Sequence, residues 1–405
     1  MSVNDANEKR RSVVVTGMGV VCCVGCSVED FWRAVCAGQS GIRPLDRFDV
    51  SNHRIQKGGQ AWGFAPPADG TDLATVFALA ASQQAMQNAG LAPDRFDPAR
   101  AGIVLATNFG AIETARTAFD QIRNHEYPLS IPAFRSLCFQ STSKDVASAL
   151  SLAGPVSSLS LSCASGNAAI GYAADLIRLG RADMMLAGGF DAITEYAWAG
   201  LSALKTMTTK EIRPFDLNRS QTIFSEGAGI LLLEDRKRAE ARGATILAEV
   251  AGHGMNNNGH HMAHPCPNGE GTAAVMQMAL ADAGMTPNEI DHINAHGTGT
   301  KLNDSTETAA IKTVFGKRAY EIPINSIKSM IGHVMGAASS VEAIASVLTI
   351  RDSVIPPTIN YETPDPECDL NYVPNVKIER KVDAVLNNSA GIGGCNAAVI
   401  FRRCG

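Results

Sequence analysis

A single cysteine, Cys163, stands where a β-prone run of small residues meets a predicted helix. Residues 157–162 precede it, and the Ala- and Leu-rich residues 168–179 that follow end at Gly180, a typical C-terminal helix signal. A thiol at the first turn of a helix faces unpaired backbone N–H groups and the positive end of the helix dipole. Both favour the nucleophilic thiolate. The alternative is a buried structural cysteine in a tight turn.

Three further polar stretches each follow a predicted strand. His296 lies in the sequence Asn-Ala-His-Gly-Thr-Gly-Thr, Lys328 and His333 lie in Lys-Ser-Met-Ile-Gly-His, and a glycine-rich stretch occupies 387–396. A lone histidine after a strand is usually structural. Because α/β sheets bind ligands where the carboxyl ends of strands meet loops, the joint occurrence of two histidines, a lysine and this glycine-rich loop indicates an active site.

Other suggestive patterns are incomplete. A Cys-x-x-Cys within residues 22–26 has no second pair at metal-ligand spacing. The histidines of 260–264 lack the helical His-Glu-x-x-His arrangement and predict a polar loop at the rim of a site. Gly17 and Gly19 begin a dinucleotide fingerprint, but Cys22 replaces its third glycine, so the sequence predicts neither a metal site nor NAD binding.

The composition indicates a protein with a large core and offers no electrostatic argument for a nucleic-acid or membrane partner. The chain has 405 residues, 45% of them hydrophobic, and a net charge of −5, so no basic surface for polyanions is expected. No apolar run reaches the roughly 20 residues of a membrane span. Ten cysteines without a regular spacing predict free thiols and therefore a cytoplasmic location.

Short apolar runs alternate with helical stretches, which predicts an α/β fold. The first strand is expected at Ser12–Thr16, followed by a glycine-containing turn. The strand, small-residue turn and Ala-rich helix around Cys163 recur weakly at 322–351, which indicates a duplicated unit. We expect a disordered tail at 1–11, a first half at 12–244 with the cysteine, and a second half at 245–405 with both histidines.

These motifs, together with Arg-Pro-Phe-Asp at 213–216 and Glu-Gly-Ala-Gly at 226–229, resemble those of the elongating β-ketoacyl-acyl-carrier-protein synthases. The resemblance spans nearly the whole chain in the family's order. It implies a thiolase-like fold in which two βαβαβαββ halves form an α-β-α-β-α sandwich. It also implies a decarboxylative condensation of a cysteine-bound acyl chain with a malonyl group on an acyl carrier protein.

The resemblance assigns a role to each motif. Cys163 would carry the acyl chain, and His296 and His333 would donate hydrogen bonds to the malonyl thioester carbonyl. Lys328, paired with Glu307, would orient the histidines. The backbone N–H groups of Cys163 and Ile392 would form a second oxyanion hole, as preorganised donors do for developing negative charge. No metal or other cofactor is implied beyond the phosphopantetheine of the carrier protein, which Thr298 and Thr300 would bind.

Several expected pocket residues depart from the family's usual pattern. Ala390 and Ile392 stand where the closing motif usually has phenylalanines, and Thr222 stands in place of the phenylalanine of Gly-Phe-Val. Losing aromatic rings would widen the acyl cavity. Phe109 falls near the pocket floor and would shorten one arm. Residues 64–72, which match a basic carrier-docking helix in the family, contain no basic residue.

These departures favour a specialised type II polyketide or polyene ketosynthase over a housekeeping synthase of fatty acid elongation. A catalytically silent chain-length-factor-like subunit is less consistent with the sequence, because such subunits lack the cysteine that is present at 163. A thiolase would use a second cysteine, and Cys395 lies near the required place, but the Lys-Ser-Met-Ile-Gly-His stretch favours the decarboxylating group. A dimer is expected, either of identical chains or with a related silent subunit.

Overall fold

The computed structural model describes residues 10–64, 71–92, 95–128 and 138–404. The strands are β1 Val13–Val21, β2 Arg43–Pro44, β3 Lys57–Gly58, β4 Ala101–Ala106, β5 Val156–Leu159, β6 Met184–Asp191, β7 Gly227–Asp235, β8 Ala248–Asn257, β9 His292–Asn294, β10 Ile324–Asn325, β11 Val354–Ile355, β12 Ile378–Glu379, β13 Ala384–Ala390 and β14 Cys395–Arg402. The α-helices are α1 Val28–Cys36, α2 Leu73–Asn88, α3 Ile112–Arg123, α4 Ser141–Ala149, α5 Ser165–Arg178, α6 Glu195–Ala203, α7 Arg236–Ala241, α8 Glu270–Ala283, α9 Lys301–Phe315, α10 Lys328–Ile331 and α11 Ala338–Asp352.

Ten strands form one hydrogen-bonded sheet in the order β10-β9-β13-β14-β8-β1-β7-β6-β4-β5. Strands β10, β9 and β13 run parallel to each other, as do β5, β4 and β6. Only the pairs Val14–Glu249 and Val15–Ala248 join β1 to β8, at the middle of the sheet. The order on either side of this junction is the same, so the sheet consists of two similar groups of five strands.

Helices fill the space between and outside these two groups. Both α5 and α11 contact strands from each group, including β6 and β14 in both cases, and therefore form a central layer. Helix α2 packs on β1 and β7 on one outer side, and α8 packs on β8 and β14 on the other. Residues 338–350 of α11 are all buried, as a helix covered on every side requires. The predicted α/β layered fold is confirmed.

The first strand is longer than the sequence predicted, because Gly17 and Gly19 belong to β1 rather than to a turn. A Cβ atom on Gly17 would lie 2.1 Å from the carbonyl oxygen of Ala85, and one on Gly19 would lie 1.9 Å from that of Ala81. The glycines therefore let α2 approach the strand closely. The predicted turn was wrong because a glycine needed for close packing leaves the same sequence pattern as one needed for a turn.

The fold brings four loops to one edge of the molecule. Cys163 follows β5, His296 follows β9, Lys328 follows β10 and Ile392 follows β13. Strands β9, β10 and β13 are parallel, so their carboxyl ends lie on the same side of their group. The two groups meet through antiparallel β1 and β8. The sulfur of Cys163, which follows β5 in the other group, lies within 4.8 Å of ligand atoms of His296 and His333. The topology thus collects residues that lie more than 200 positions apart in the sequence.

The remaining expectations concern the N-terminal tail, the segment that matches a carrier-docking helix, and membrane-spanning helices. Arg10 forms an ion pair with Asp282 at 2.7 Å, and Arg11 forms one with Asp183 at 3.0 Å, so the predicted disorder does not extend to these two residues of the tail. Positions 65–70, within the segment expected to lack a basic docking helix, lie outside the described residues. Among the helices that the structure describes, none has the length and apolarity needed to cross a membrane.

Candidate active site

Cys163 occupies a tight, braced turn between β5 and α5. Ser162 has φ 53°, in the left-handed region that non-glycine residues seldom adopt. The hydroxyl of Ser165 donates to the carbonyl of Ser162 at 2.6 Å and accepts the N–H of Leu161 at 2.7 Å. These bonds hold the backbone so that the buried thiol stands just before the first residue of the helix.

The environment of the thiol acts on its pKa in both directions. Burial raises the pKa of Cys163 above its usual value, while the Ser162 hydroxyl, the charge of Lys328 and the backbone N–H groups of Ile392 and Cys163 oppose this effect. The sequence alone predicted a stabilised thiolate from the position beside the helix. In the free protein the loss of solvent outweighs that stabilisation, because a buried anion loses its hydration.

His296 and His333 lie beside the thiol. One side-chain ligand atom from each histidine and the sulfur of Cys163 all lie within 4.8 Å of one another. The two imidazole rings meet edge to face, with centroids 5.5 Å apart and an interplanar angle of 85°. A substrate carbonyl placed between the rings and the sulfur can therefore contact both histidines.

The hydrogen bonds of the two Nδ1 atoms determine which ring nitrogen carries the proton. The N–H of Met335 donates to Nδ1 of His333 at 3.0 Å, so its Nε2 carries the hydrogen. Nδ1 of His296 faces Nζ of Lys328 and Oγ of Ser389, each at 3.3 Å. An ammonium can only donate, so His296 also presents Nε2–H.

Burial lowers the pKa of both histidines well below the usual value, and the charge of Lys328 lowers each further. The rings are therefore neutral hydrogen-bond donors. The sequence predicted that Lys328 orients the histidines, but it did not point to the N–H of Met335, a backbone group with no motif of its own.

Lys328 pairs with Glu342 rather than with the predicted Glu307. Its ammonium forms a short ion pair with the carboxylate of Glu342, and both side chains are fully buried. It also donates to the carbonyl of His296 at 2.7 Å. The predicted pairing was wrong because α11, which carries Glu342, packs directly beneath the lysine, and nothing in the sequence reveals this crossing.

Glu307 has a different structural role. Its carboxylate accepts the backbone N–H groups of His296 and Gly297, each at 2.8 Å, and the side-chain amide of Asn388 at 2.6 Å. Burial raises its pKa, and these donors, together with the charge of Lys328, oppose the shift. Glu307 thus ties the His296 loop to the end of β13, and it positions the histidine through the backbone.

The glycine-rich loop closes the site over Cys163. A Cβ on Gly391 would lie 2.9 Å from Cβ of Ser162 and 3.1 Å from the nitrogen of Cys163, so only glycine permits this approach. The loop brings the N–H of Ile392 to the thiol. The side chain of Ile392 is 39% exposed, and Ala390 ends β13 beside it.

The hydrogen bonds of the two Nδ1 atoms also show whether the site suits a metal ion. Within the described ranges, Cys163, His296 and His333 are the only group of three side chains spaced to hold a metal ion. Metal-bound histidines normally donate their other N–H to an acceptor. Here both Nδ1 atoms meet donors instead, so the arrangement favours hydrogen bonding over metal ligation.

Comparisons with known proteins identify the family of the chain. The model of the beta-ketoacyl synthase N-terminal domain matches residues 10–239, and that of the C-terminal domain matches residues 247–362. The chain belongs to the β-ketoacyl synthase family. The family recognised from the motifs is therefore confirmed.

The relatives include synthases named 3-oxoacyl-[acyl-carrier-protein] synthase 2 and synthases named for polyketides. The chain is 38% identical to 3-oxoacyl-[acyl-carrier-protein] synthase 2 of Coxiella burnetii, over 98% of this chain and 99% of the relative. It is also 38% identical to the tetracenomycin polyketide synthase ketoacyl synthase alpha subunit of Streptomyces glaucescens, over 98% and 97%. The structure titled "The ishigamide ketosynthase/chain length factor" superposes with a TM-score of 0.92 at 38% identity, covering 98% of this chain and all of that one.

The two threonines after His296 form a pair, with Oγ1 of Thr298 and Thr300 2.9 Å apart. Asp304 accepts the N–H of Gly299 at 3.3 Å, and Arg219 donates to the carbonyl of Thr300 at 3.4 Å. The resemblance to the β-ketoacyl synthases did not identify Arg219. No sequence signal marked Arg219, because its burial is visible only in the folded structure, where a buried arginine needs buried acceptors.

The remaining predicted pocket residues lie in two places. Phe109 packs against an apolar cluster that contains Phe224 and Met335. The N–H of Phe109 donates to buried Asp191 at 3.0 Å, and the N–H of Gly336 donates to the same carboxylate at 2.7 Å. Thr222 is buried in a different segment, two residues before Phe224, whose ring centroid lies 5.3 Å from that of His333.

Proposed function

We propose that the chain catalyses the decarboxylative condensation of an acyl group with malonyl on an acyl carrier protein, giving a 3-oxoacyl-carrier protein. The sulfur of Cys163 attacks the acyl thioester and forms a new thioester as the carrier thiol leaves with the proton of Cys163. A malonyl thioester then loses CO2, and its carbon attacks the acyl-cysteine. The C–S bond breaks, and Cys163 returns as a thiol after taking up one proton.

The observation that carries this proposal is the convergence of Cys163, His296 and His333 within 4.8 Å. Two neutral Nε2–H donors suit the negative oxygen that forms on the malonyl thioester when CO2 leaves. A preorganised donor of this kind contributes about 2.7–4 kcal/mol to the stability of the transition state. The N–H groups of Cys163 and Ile392 would take the oxygen of the acyl thioester.

We further propose that the two halves have different roles. The half at 12–244 holds the acyl chain, and the half at 245–405 binds the malonyl donor. Phosphopantetheine of the carrier would be the only prosthetic group involved, held by Thr298 and Thr300. Phe109, Ala390 and Ile392 would shape the acyl cavity. We place the reaction in the cytoplasm, in agreement with ten cysteines among which the described ones are all free thiols.

The pathway that we favour is a specialised type II polyketide or polyene pathway. The support is the replacement of three aromatic residues by Thr222, Ala390 and Ile392, together with neighbours whose titles name a ketosynthase/chain length factor and a type II polyketide ketosynthase with its acyl-carrier protein. Fatty acid elongation is the second candidate, supported by relatives named 3-oxoacyl-[acyl-carrier-protein] synthase 2. A dimer, with a second copy or a related silent subunit, fits either pathway.

The test is to incubate the protein with a panel of acyl-carrier thioesters and to record its intact mass, with C163A as the control. Malonyl-carrier protein is then added, and the extended 3-oxoacyl product is measured. Acylation that depends on Cys163, followed by chain transfer, supports the proposal. Preference for saturated chains would assign fatty acid elongation, and preference for polyunsaturated or oxygenated chains a specialised pathway. No acylation with any donor, alone or with a chain-length-factor subunit added, would refute the enzymatic role.

A further inference from the structure

Thr222 lies in a segment that runs between two parts of the active site. The carbonyl of Ile223 accepts the N–H of His333 at 2.8 Å, so the segment touches the malonyl-binding histidine on one side. On the other side, a Cβ on Gly299 would lie 3.5 Å from the carbonyl oxygen of Gln221. Thr222 is therefore bracketed by His333 and by the loop that carries Thr298 and Thr300.

The hydroxyl of Thr222 has no partner among the residues that the structure describes, although the side chain is only 3% exposed. Both backbone polar groups of Thr222 are hydrogen-bonded. Its N–H donates to the carbonyl of Thr206 at 3.1 Å, and its carbonyl accepts the N–H of Thr208 at 2.9 Å. Buried hydroxyl groups nearly always have a hydrogen-bond partner. A buried hydroxyl without a partner, between His333 and the loop of Thr298 and Thr300, is a group that a bound substrate can complete.

The neighbouring positions indicate which way the hydroxyl faces. Residues two apart in an extended segment share a face, and Phe224 turns its ring toward His333. Thr222 then shares the face that looks into the site. A phenylalanine at this position, which the resemblance implies for the family's Gly-Phe-Val pattern, could not offer a hydrogen bond there.

We propose that Thr222 is a specificity-determining residue whose hydroxyl hydrogen-bonds the thioester end of the carrier-bound substrate. The bonded group is a carbonyl or amide, either of the pantetheine arm or of the chain attached to it. This inference rests on the proposed function, because it assumes that the arm enters between Thr298 and His333. It moves Thr222 from the acyl cavity, where the sequence placed it, to the channel of the arm.

The test compares T222V, which keeps the shape and removes the hydroxyl, with T222S, which keeps the hydroxyl. Thr349 provides a matched control, because its hydroxyl is also buried without a partner but belongs to α11. We expect T222V to lower kcat/KM for malonyl-carrier protein about tenfold, as the loss of one hydrogen bond predicts. T222S and T349V should stay within about twofold of the parent protein.

Two donors identify the bonded group. If the loss occurs with malonyl-carrier protein and is absent with the truncated donor malonyl-N-acetylcysteamine, the hydroxyl binds the arm. If T222V lowers kcat/KM equally with both donors, the hydroxyl binds the malonyl thioester itself. Equal kinetics of T222V and the parent protein with both donors would overturn the inference. So would a clear fall in the melting temperature of T222V that T349V does not share, since this would reveal a structural partner.

Failure of the inference about Thr222 can be distinguished from failure of the proposed function. If the parent protein condenses nothing, the proposed function fails, but binding of coenzyme A, which contains the same arm, still tests Thr222. Calorimetry should then show coenzyme A binding about tenfold weaker in T222V than in T222S. Unchanged binding in T222V would refute the role of the hydroxyl independently of turnover.

Discussion

Lys328 and Glu342 form an ion pair in which both side chains are fully buried, directly beneath His296. The ammonium also contacts Nδ1 of His296 at 3.3 Å and its carbonyl oxygen at 2.7 Å. One buried cation therefore fixes the tautomer of a histidine and balances a buried carboxylate. Because neither charge is solvated, each depends on the other.

Replacing Lys328 with methionine should affect condensation far more than acylation. The variant K328M loses the donor to Nδ1 of His296, and its Glu342 remains buried without a partner. Condensation should fall about 10²–10³-fold, while acylation of Cys163 by an acyl thioester should change less than about tenfold. Burst-phase mass spectrometry separates the two steps.

The double variant K328M/E342Q is the control for the unpaired charge. It should fold more stably than K328M, because the buried carboxylate is gone, yet it should remain as slow in condensation. Recovery of full activity in the double variant would show that Lys328 serves only to neutralise Glu342.

His333 should act as a donor and not as a base. Its Nδ1 is occupied by the N–H of Met335, so the ring cannot take up a second proton without losing that bond. H333A should slow decarboxylation of malonyl-carrier protein about 10²–10³-fold, and H333Q, whose amide can replace the donor, should recover part of this loss. Equal rates for H333A and H333Q would contradict the donor role.

The acid limb of the pH profile should come from Glu342 and not from the histidines. The pKa of His296 and His333 is lowered below its usual value, mainly by burial, so both rings stay neutral as the pH falls through 6.5. Burial raises the pKa of Glu342, so this carboxylate takes up a proton at a higher pH than usual and releases Lys328. Activity should therefore fall with pH in the parent protein, and the E342Q profile should be flat from about pH 8 to 6. An inflection near 6.5 that persists in E342Q would assign the limb to a histidine.

Phe109 should limit the length of the acyl chain. Its ring packs against the apolar cluster that contains Phe224 and Met335, and the ring centroid of Phe224 lies 5.3 Å from that of His333. F109A should accept longer chains than the parent protein and acylate more slowly with short ones, because an aromatic ring of about 150–250 Å2 is removed. The acylation panel measures this shift, and an unchanged preference would place the pocket floor elsewhere. F119A, on an exposed ring of α3, is the matched control.

Asp191 should contribute strongly to stability. It is fully buried and accepts the hydroxyl of Thr107 at 2.6 Å and the N–H groups of Asn108, Phe109 and Gly336. In D191N an amide would face some of these donors, so unfolding in urea should require about 2–3 kcal/mol less. T107V removes the donor to Asp191 and also the acceptor of the Gly110 N–H at 2.8 Å, so it should cost about 1–3 kcal/mol. Unchanged stability of D191N in urea would contradict this role of the carboxylate.

The sequence motifs pointed to three side chains that the fold brings together. Cys163, His296 and His333 each lie in a short pattern after a strand, and their ligand atoms lie within 4.8 Å of one another. Local signals suffice here, because a strand that ends in a Gly- or Ser-rich turn is visible in a few residues. The family and the layered α/β fold followed from the same motifs.

The partners of those groups were harder to predict. Glu307 and Glu342 are both buried carboxylates on helices, and either could reach a lysine at 328 as far as the sequence tells. Similarly, a glycine at 17 or 19 is compatible with a turn or with a closely packed strand. The choice depends on which helix lies against which strand, a contact between residues far apart in the chain.

The amino-acid sequence by itself determined the fold class and the family, and it pointed to Cys163, His296 and His333 as the candidate site, because these depend on local patterns of residue type and spacing. Only the tertiary structure decided that Lys328 pairs with Glu342, that both histidines present Nε2–H, and that burial acts against the thiolate of Cys163. The physical reason is that pairing, tautomer and desolvation are set by what surrounds a group in space. That environment is assembled from segments of the chain that the sequence keeps apart.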